Sequence, residues 1–291
     1  MKIAAIDIGS NAIRLLIEEI RSKSGKPYVE KVSLTRVPIR LGEDVFRTGE
    51  ISSKKVNQLV MTMRAFWYLM EVHGVEHFRA CATSAMRDAK NRNEVLSTIK
   101  AESAIDIEVL TGEAEAELIY GNYISQQLDR KSNYLFIDVG GGSTELTYIV
   151  RGTRLKSQSF NIGTVRALEQ KIQKKTWDEL KHWIIEHVKG SDKLIAIGTG
   201  GNINTVFKMA GKKPSDKITL REIEEQFELI SSLSYEERIH KLKLKPDRAD
   251  VVVPACEIYL KILEMCSIRE MMVPKIGLSD GMILKMFEEH T

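Results

Sequence analysis

The chain has 291 residues, of which 43% are apolar and 29% are charged, and its formal net charge is +3. This balance is typical of a globular protein with a substantial core, and the length is enough for two domains. The near-neutral charge argues against a dedicated nucleic-acid-binding protein, and no segment approaches the roughly 20 apolar residues that span a bilayer, so neither nucleic acid nor a membrane is expected as a partner. The three cysteines lack CxxC spacing, which predicts buried reduced thiols and a cytoplasmic location.

Strands and helices are predicted to alternate along the first half of the chain. An apolar spacing of three and four predicts a helix over 53–73, whereas the two glycines of 40–52 are typical of a loop. The other elements expected here are a strand–turn–strand hairpin over 2–20, strands over 27–37, 78–83 and 105–110, a polar helix within 84–103 that follows a loop, and a helix over 113–128.

The second half is predicted to repeat this order. Thr219 and Glu222 form a capping-box pattern at the start of a helix over 219–233. The other elements expected are a hairpin over 134–150, strands over 153–163 and 273–276, a strand–glycine loop–helix unit over 194–211, and helices over 164–173, 176–189, 248–267 and 280–291. Such alternation predicts an α/β protein with mixed sheets.

The polar stretch at 129–133 predicts a domain boundary. We therefore expect a first domain over 1–128 and a second over 129–279. The last helix, 280–291, is expected to return to the first domain.

One motif occurs twice, as IAAIDIGSNAIRLLI at 3–17 and as YLFIDVGGGSTELTYI at 134–149. In each copy an apolar strand leads to Asp-x-Gly and a small polar turn, and Asp7 corresponds to Asp138. The repeat predicts a duplicated architecture and a cleft with one acidic, amide-rich loop on each wall. Such loops suit a phosphate chain and its Mg²⁺ ion. A third glycine loop, at 198–202, matches neither a P-loop nor a dinucleotide fingerprint.

Seven segments in a fixed order extend over nearly the whole chain. They are AAIDIGSNAIRLLI (4–17), ATSAMRDAKN (82–91), LTGEAEAELIYG (110–121), FIDVGGGSTEL (136–146), FNIGTVR (160–166), AIGTGGN (196–202) and RADVVVP (248–254). Together they resemble the exopolyphosphatase / guanosine pentaphosphate phosphohydrolase (Ppx/GppA) family. The resemblance implies an α/β, two-domain actin-like fold of the sugar kinase, heat-shock ATPase and actin superfamily, with duplicated ribonuclease-H-like domains and an interdomain cleft. It also implies a homodimer and a short form of the family without the C-terminal helical domain.

The resemblance also implies roles for individual residues. Glu115 matches the catalytic glutamate that activates water, Arg87 matches an arginine that clamps phosphate, and Asp138 matches the acidic ligand of Mg²⁺. Glu145 matches a second acidic residue, which would serve in catalysis and at the metal. The residues expected to bind phosphate are Asp7, Gly9, Ser10, Asn11, Gly140, Gly141, Gly142, Ser143, Gly200 and Gly201. The implied reaction is Mg²⁺-dependent hydrolysis of a terminal phosphoanhydride in inorganic polyphosphate, in the 5′-γ-phosphate of guanosine pentaphosphate (pppGpp), or in both.

Several alternatives stay open at this point. Glu113, Glu115 and Glu117 lie two residues apart on a predicted helix, so they cannot all face one cleft, and a solvated acidic first turn is the plainer interpretation. Arg87 has the alternative of being a surface arginine in a polar segment, and Arg166 is a weaker candidate for binding phosphate.

Four residues depart from the family pattern, and they leave substrate choice and rate open. They are Ala12, Glu117, Asn202 and Ser279. Two other functions therefore remain, a non-catalytic sensor of polyphosphate or alarmone and an ATP-dependent small-molecule kinase of the same superfamily.

Overall fold

The computed structural model describes residues 1–23, 26–170, 172–188, 190 and 194–290. The chain divides into two compact units, one formed by Met1–Ile124 with Gly277–Thr291 and the other by Ser125–Ile276. Residues 171, 189 and 291, which belong to helices predicted from the sequence, lie outside the described residues.

Unit 1 contains a five-stranded sheet in the order β3-β2-β1-β4-β5. Its elements are β1 (Lys2–Ile8), β2 (Ile13–Lys23), β3 (Lys26–Val37), α1 (Leu41–Thr48), α2 (Ser53–His73), β4 (His77–Ala82), α3 (Ser84–Asp88), α4 (Arg92–Ser103), β5 (Glu108–Val109) and α5 (Gly112–Gln127), with α13 (Leu278–Glu289) joining from the end of the chain. Strands β1, β2 and β3 form an antiparallel meander, and β4 lies parallel to β1.

Unit 2 contains a six-stranded sheet in the order β10-β11-β9-β6-β7-β8. Its elements are β6 (Asn133–Val139), β7 (Thr144–Val150), β8 (Thr153–Phe160), α6 (Thr164–Glu169), α7 (Lys174–His187), β9 (Leu194–Thr199), α8 (Gly201–Met209), β10 (Lys217–Thr219), α9 (Leu220–Ser231), α10 (Tyr235–His240), α11 (Pro246–Ala249), α12 (Val252–Met265) and β11 (Glu270–Met272). Strands β6, β7 and β8 repeat the antiparallel meander, and β9 lies parallel to β6 as β4 does to β1. The shared strand order confirms the duplicated α/β, two-domain actin-like fold.

The prediction of a loop over 40–52 is wrong, because this segment contains α1. Leu41, Val45 and Phe46 on one face of this helix are buried, and Gly49 ends it with a φ of +86°. One of the two glycines that suggested a loop is therefore a helix C-cap, and the other lies inside the helix, where burial of the apolar face outweighs its low propensity.

Three further differences occur in unit 2. The single helix predicted over 248–267 is divided into α11 and α12, and the last strand, β11, ends one residue before the predicted range of 273–276. Strand β10 and helix α10 were not predicted. Short strands of three residues carry too little periodicity to be recognised without their partners.

The three cysteines are free thiols. Cys81 and Cys256 are buried, as predicted, whereas Cys266 is only half-buried. Among the described residues, the helices lack the length and apolar character that crossing a membrane requires.

Helix α13 brings a second carboxylate towards a buried glutamate of the unit 1 sheet. Glu18 of β2 is buried, and both its burial and the nearby Asp280 of α13 raise its pKa from 4.5 to about 7, while Lys31 opposes the shift. Burial also raises the pKa of Asp280, and Lys31 and Arg14 oppose that shift. Lys31 is the cross-strand partner of Glu18 on β3. Lys31 therefore faces two buried carboxyl groups, and the pKa of each stays raised because its charge does not offset their burial.

This arrangement predicts a pH-dependent loss of stability. Because the pKa of Glu18 is higher in the folded state than in the unfolded state, the protonated carboxyl group contributes to the free energy of unfolding. This contribution to stability is fully present below about pH 4.5 and is lost as the pH rises through 7. We expect Glu18→Gln to be more stable than wild type at about pH 8, by about 1–2 kcal/mol, and to differ less at about pH 5. Thermal unfolding across this pH range checks the prediction. Glu30→Gln, at an exposed position on β3, is the control. Wild type and Glu18→Gln with the same dependence of stability on pH would contradict the prediction.

Candidate functional site

The turn between β1 and β2 is tight and held from both sides. Asp7, near the end of β1, is buried and forms an ion pair with its cross-strand partner Arg14, whose Nη1 lies 2.5 Å from Asp7 Oδ2. Within the turn, the Gly9 amide donates to the Ala12 carbonyl at 3.1 Å. Ala12, where the family pattern has serine, is buried, so this departure removes a hydroxyl from the interior of the turn.

The rest of this turn is anchored by segments that follow it in the chain. The Ser10 carbonyl accepts from Gly42 N at 2.8 Å, and the Asn11 carbonyl accepts from Arg40 N at 3.0 Å. The Ser10 hydroxyl oxygen accepts from Ala85 N of α3 at 3.1 Å. The backbone of 40–42 therefore positions the first loop, a contribution that the prediction of a loop over 40–52 missed.

Glu115 is the buried member of the three acidic residues at the start of α5. Glu115 is 8% exposed, whereas Glu113 and Glu117 are both exposed. Thr111 caps this helix, since its hydroxyl oxygen accepts from the Ala114 amide at 3.2 Å. Of the three glutamates, Glu115 alone is buried. The interpretation as a solvated acidic surface therefore applies to Glu113 and Glu117 and not to Glu115.

Arg87 of α3 points towards this glutamate. Its Nη1 donates to the Leu110 carbonyl at 2.9 Å and lies 3.7 Å from Glu115 Oε2. The carbonyl fixes the guanidinium at the start of α5, so the cation is held beside the carboxylate. Arg87, Glu115 and the Ser10 turn are therefore linked through α3 within unit 1.

The glycine loop of unit 2 uses the same turn, with the Gly140 amide donating to the Ser143 carbonyl at 2.9 Å. Its other carbonyls accept from the start of α6. These bonds run from Thr164 N to Gly140 O (3.0 Å), from Val165 N and Arg166 N to Gly141 O (2.8 and 3.0 Å), and from Arg166 Nε to Gly142 O (2.7 Å). All four carbonyls of 140–143 are thus engaged by protein donors. A loop whose carbonyl oxygens are engaged in this way can offer its amides to an anion without competition from those oxygens.

Arg166 and Gly163 therefore position the loop. Arg166 is buried, and its bond to the Gly142 carbonyl explains its place in the FNIGTVR segment. A Cβ on Gly163 would lie 2.5 Å from the Gly141 carbonyl oxygen, so only glycine allows α6 to approach this closely.

Two carboxylates meet across the hairpin of β6 and β7. Asp138 and Glu145 are cross-strand partners, and an oxygen of one lies within 4.8 Å of an oxygen of the other. Glu145 is 1% exposed and accepts from the hydroxyls of Ser143 and Ser159, both at 2.7 Å. Asp138 Oδ1 accepts from the Thr199 hydroxyl at 3.0 Å. These hydroxyl donors orient two hard oxygen ligands, which is a donor set that fits Mg²⁺.

The third glycine loop packs against Asp138. Gly200 has a φ of +99°, and a Cβ there would lie 3.1 Å from Asp138 Oδ1. Gly201, the first residue of α8, lies against the guanidinium of Arg248, which donates to Asn202 Oδ1 at 2.8 Å. Asn202, one of the departures from the family pattern, is therefore the acceptor for Arg248.

Tyr259 is a buried residue behind this loop that sequence reasoning missed. Its hydroxyl donates to the Thr199 carbonyl at 2.5 Å and lies 3.3 Å from the Ile137 carbonyl. Burial and the charge of Asp138 raise its pKa, so the hydroxyl remains a donor. No sequence pattern indicates the roles of Tyr259, Thr199 and Ser159, because each is an ordinary residue within a helix or strand.

Each unit thus brings its own predicted residues together. Unit 1 gathers Asp7, Gly9, Ser10, Asn11, Arg87 and Glu115, and unit 2 gathers Asp138, Gly140, Gly141, Gly142, Ser143, Glu145, Gly200 and Gly201. Ser279, the last of the departures, is buried in α13.

The chain is similar to known phosphatases along nearly its whole length. The model of a family described as the Ppx/GppA phosphatase family matches residues 17–290. A crystal structure of an exopolyphosphatase from Cytophaga hutchinsonii is similar, with a TM-score of 0.84, 26% identity and coverage of 99% of this chain and 98% of that one.

Two curated relatives show how the match extends along other proteins. Exopolyphosphatase 2 of Mycobacterium tuberculosis is 25% identical over 318 residues, which cover 98% of both chains. The bifunctional 3-dehydroquinate synthase/phosphatase of Fusobacterium nucleatum is 28% identical over 285 residues, which cover 90% of this chain and 43% of that protein.

Proposed function

The chain belongs to the Ppx/GppA phosphatase family, and from this premise we propose that it is an exopolyphosphatase that releases the terminal phosphate of inorganic polyphosphate. The relatives named exopolyphosphatase in M. tuberculosis and C. hutchinsonii, which match along nearly their whole length, support the substrate. The observation that carries the proposal is the buried Glu115 held beside Arg87, between two exposed glutamates.

The proposed chemistry is in-line attack of water on the terminal phosphorus. Glu115 orients the water and accepts its proton as the new P–O bond forms and the bond to the bridging oxygen breaks. Arg87 places a cation where negative charge develops, and loop amides hold the peripheral phosphate oxygens. The released phosphate and the shortened polyphosphate are the products.

Asp138 and Glu145 are proposed to hold Mg²⁺. When bound, the ion neutralises charge on the phosphate oxygens. Ser143, Ser159 and Thr199 orient the two carboxylates through the hydrogen bonds described above. In the proposed metal site, the protein therefore supplies two carboxylate ligands and the hydroxyl groups that orient them.

The 5′-γ-phosphate of pppGpp is a second proposed substrate. Backbone amides can bind a terminal phosphoryl group without contacting the remainder of the substrate. The homodimer and the cytoplasmic location stay predictions.

The test is phosphate release from medium-length polyphosphate with Mg²⁺, with pppGpp assayed in parallel. We expect turnover of polyphosphate that does not require an acceptor. No release from either substrate, together with tight binding of both, would support the sensor instead. ATP consumption that depends on an added acceptor would support the kinase.

The metal proposal predicts a specific defect in Asp138→Asn. Loss of one anionic ligand should raise the Mg²⁺ concentration for half-maximal activity at least about tenfold, because a neutral amide binds hard cations more weakly. A Mg²⁺ titration of activity and calorimetry of Mg²⁺ binding check this. Asp106→Asn, at an exposed position, is the control. An unchanged Mg²⁺ requirement in Asp138→Asn would contradict the assignment.

A further inference from the structure

Tyr259 of α12 contacts two strands of the unit 2 sheet at the level of Asp138. Its hydroxyl oxygen is 2.5 Å from the Thr199 carbonyl oxygen of β9 and 3.3 Å from the Ile137 carbonyl oxygen of β6. The two strands are parallel neighbours, in which Ile137 lies opposite Gly198 and Asp138 lies opposite Thr199. The hydroxyl therefore contacts the residue before Asp138 in the chain and the residue opposite Asp138 in the sheet.

The ring of Tyr259 occupies space that Gly198 leaves open. A Cβ on Gly198 would lie 3.3 Å from Cε1 of the ring and 2.5 Å from the sulfur of Met271. Tyr259 is 1% exposed, so close packing restricts movement of the ring away from the strands. Because a buried tyrosine hydroxyl needs a hydrogen-bonding partner, the strand carbonyls fix the end of the side chain.

Thr199 links the tyrosine to the carboxylate. Its carbonyl accepts from the Tyr259 hydroxyl, and its own hydroxyl donates to Asp138 Oδ1 at 3.0 Å. At the next residue, Gly200, a Cβ would lie 3.1 Å from the same Oδ1 and 3.3 Å from the Val139 carbonyl oxygen. A displacement of the backbone at Thr199 would therefore move both the hydroxyl that orients Asp138 and the glycine loop that packs against it.

Contacts of this kind influence how tightly a protein holds a metal ion. Groups that hydrogen-bond to a metal ligand fix its orientation, and their loss typically lowers metal affinity about 10- to 100-fold. Thr199 makes such a contact with Asp138. Tyr259 acts one contact further out, so its loss should have a smaller effect.

We propose that Tyr259 is a positioning residue that raises the affinity of unit 2 for Mg²⁺, because it holds Thr199 and the third glycine loop against Asp138. The tyrosine acts through Thr199 and not as a ligand. This inference rests on the metal site of the proposed function.

The test is calorimetry of Mg²⁺ binding to the full chain, as wild type and as Tyr259→Phe. We expect the dissociation constant to rise about 3- to 10-fold, since phenylalanine keeps the ring but removes the donor to the Thr199 carbonyl. Tyr134→Phe is the control, because it removes a buried tyrosine hydroxyl at the start of β6. Its dissociation constant should stay within about twofold of wild type, as expected for an independent site.

A second control separates positioning from a general loss of stability. Ile262→Val removes one methyl group from the buried face of α12, one turn after Tyr259, and lowers stability without removing a hydrogen bond. Its affinity for Mg²⁺ should stay at the wild-type value. Hydrogen exchange of the metal-free protein gives a further readout, in which the amides of Gly200 and Gly201 should exchange faster in Tyr259→Phe than in Ile262→Val.

A double-variant cycle tests the route of the effect. Thr199→Val removes the hydroxyl that donates to Asp138, so Tyr259→Phe should raise the dissociation constant by a smaller factor in this background than in wild type. Equal factors in the two backgrounds would overturn the route through Thr199. Circular dichroism confirms that each variant is folded.

The calorimetry separates this inference from the metal site on which it rests. Wild-type affinity for Mg²⁺ in Tyr259→Phe would overturn the inference and leave the metal site intact, as would an equal loss of affinity in Ile262→Val. A wild-type protein that binds no Mg²⁺ would overturn the metal site and this inference together.

Discussion

Glu115→Gln is expected to lower kcat for phosphate release by about 10²- to 10⁴-fold, which is the usual contribution of a general base. Glutamine keeps the size of the side chain and a hydrogen-bonding oxygen, but it cannot accept a proton from water. The variant should therefore still bind substrate, and its thermal stability should stay close to that of wild type. Initial rates over a range of polyphosphate concentrations separate kcat from KM.

The helix itself provides the controls. Glu113→Gln and Glu117→Gln remove the same charge from the same first turns of α5, but at exposed positions. If loss of negative charge near the helix N-terminus were the cause, all three variants would lose activity together. Turnover by Glu115→Gln that equals turnover by these controls would show that Glu115 is not the base.

Gly163→Ala is expected to reduce both activity and stability. The added methyl group would overlap the backbone of Gly141 and Gly142, and neither can move without disturbing the bonds between the glycine loop and α6. We expect a loss of about 1–3 kcal/mol in the free energy of unfolding, as is typical of overpacking. We also expect KM for polyphosphate to rise about tenfold or more as the amides are displaced. Denaturant unfolding and steady-state kinetics measure the two effects.

The cause of this effect is steric and not conformational, because Gly163 has φ −146° and ψ 158°, which any residue adopts. Gly201→Ala is the comparison, since the methyl group there would meet the end of the Arg248 side chain, which can move. We expect a smaller loss of stability in Gly201→Ala. Wild-type KM and stability in Gly163→Ala would show that the loop does not depend on its contact with α6.

The local sequence pattern was sufficient to predict structure wherever a residue interacts with residues close to it in the chain. The two hairpins could be predicted because an apolar strand, Asp-x-Gly and a second apolar strand occur within sixteen residues. The capping box of Thr219 and Glu222 is present as expected, because its bonds join residues three apart. The repeat of the hairpin motif was also enough to predict the duplicated sheets.

Residues whose role depends on distant partners could not be predicted in this way. Helix α1 was predicted as a loop because its glycines are visible in the sequence, whereas the core that its apolar face covers is not. Tyr259 lies 60 residues from Thr199, and nothing in the intervening sequence indicates that its hydroxyl reaches that carbonyl.

The sequence by itself determined the α/β class and the repeated acidic hairpins, because these follow from short-range periodicity, and it indicated the candidate residues through the family resemblance that its motifs carry. Only the tertiary structure decided that Glu115 is buried while Glu113 and Glu117 are exposed, and that the carbonyls of the glycine loop are engaged by α6. The same holds for the exposure of Met61, Tyr68 and Val72 on α2, since these residues resemble core residues in the sequence. Burial and hydrogen-bond partners depend on which distant segments meet, and helical or strand periodicity only indicates which residues share a face.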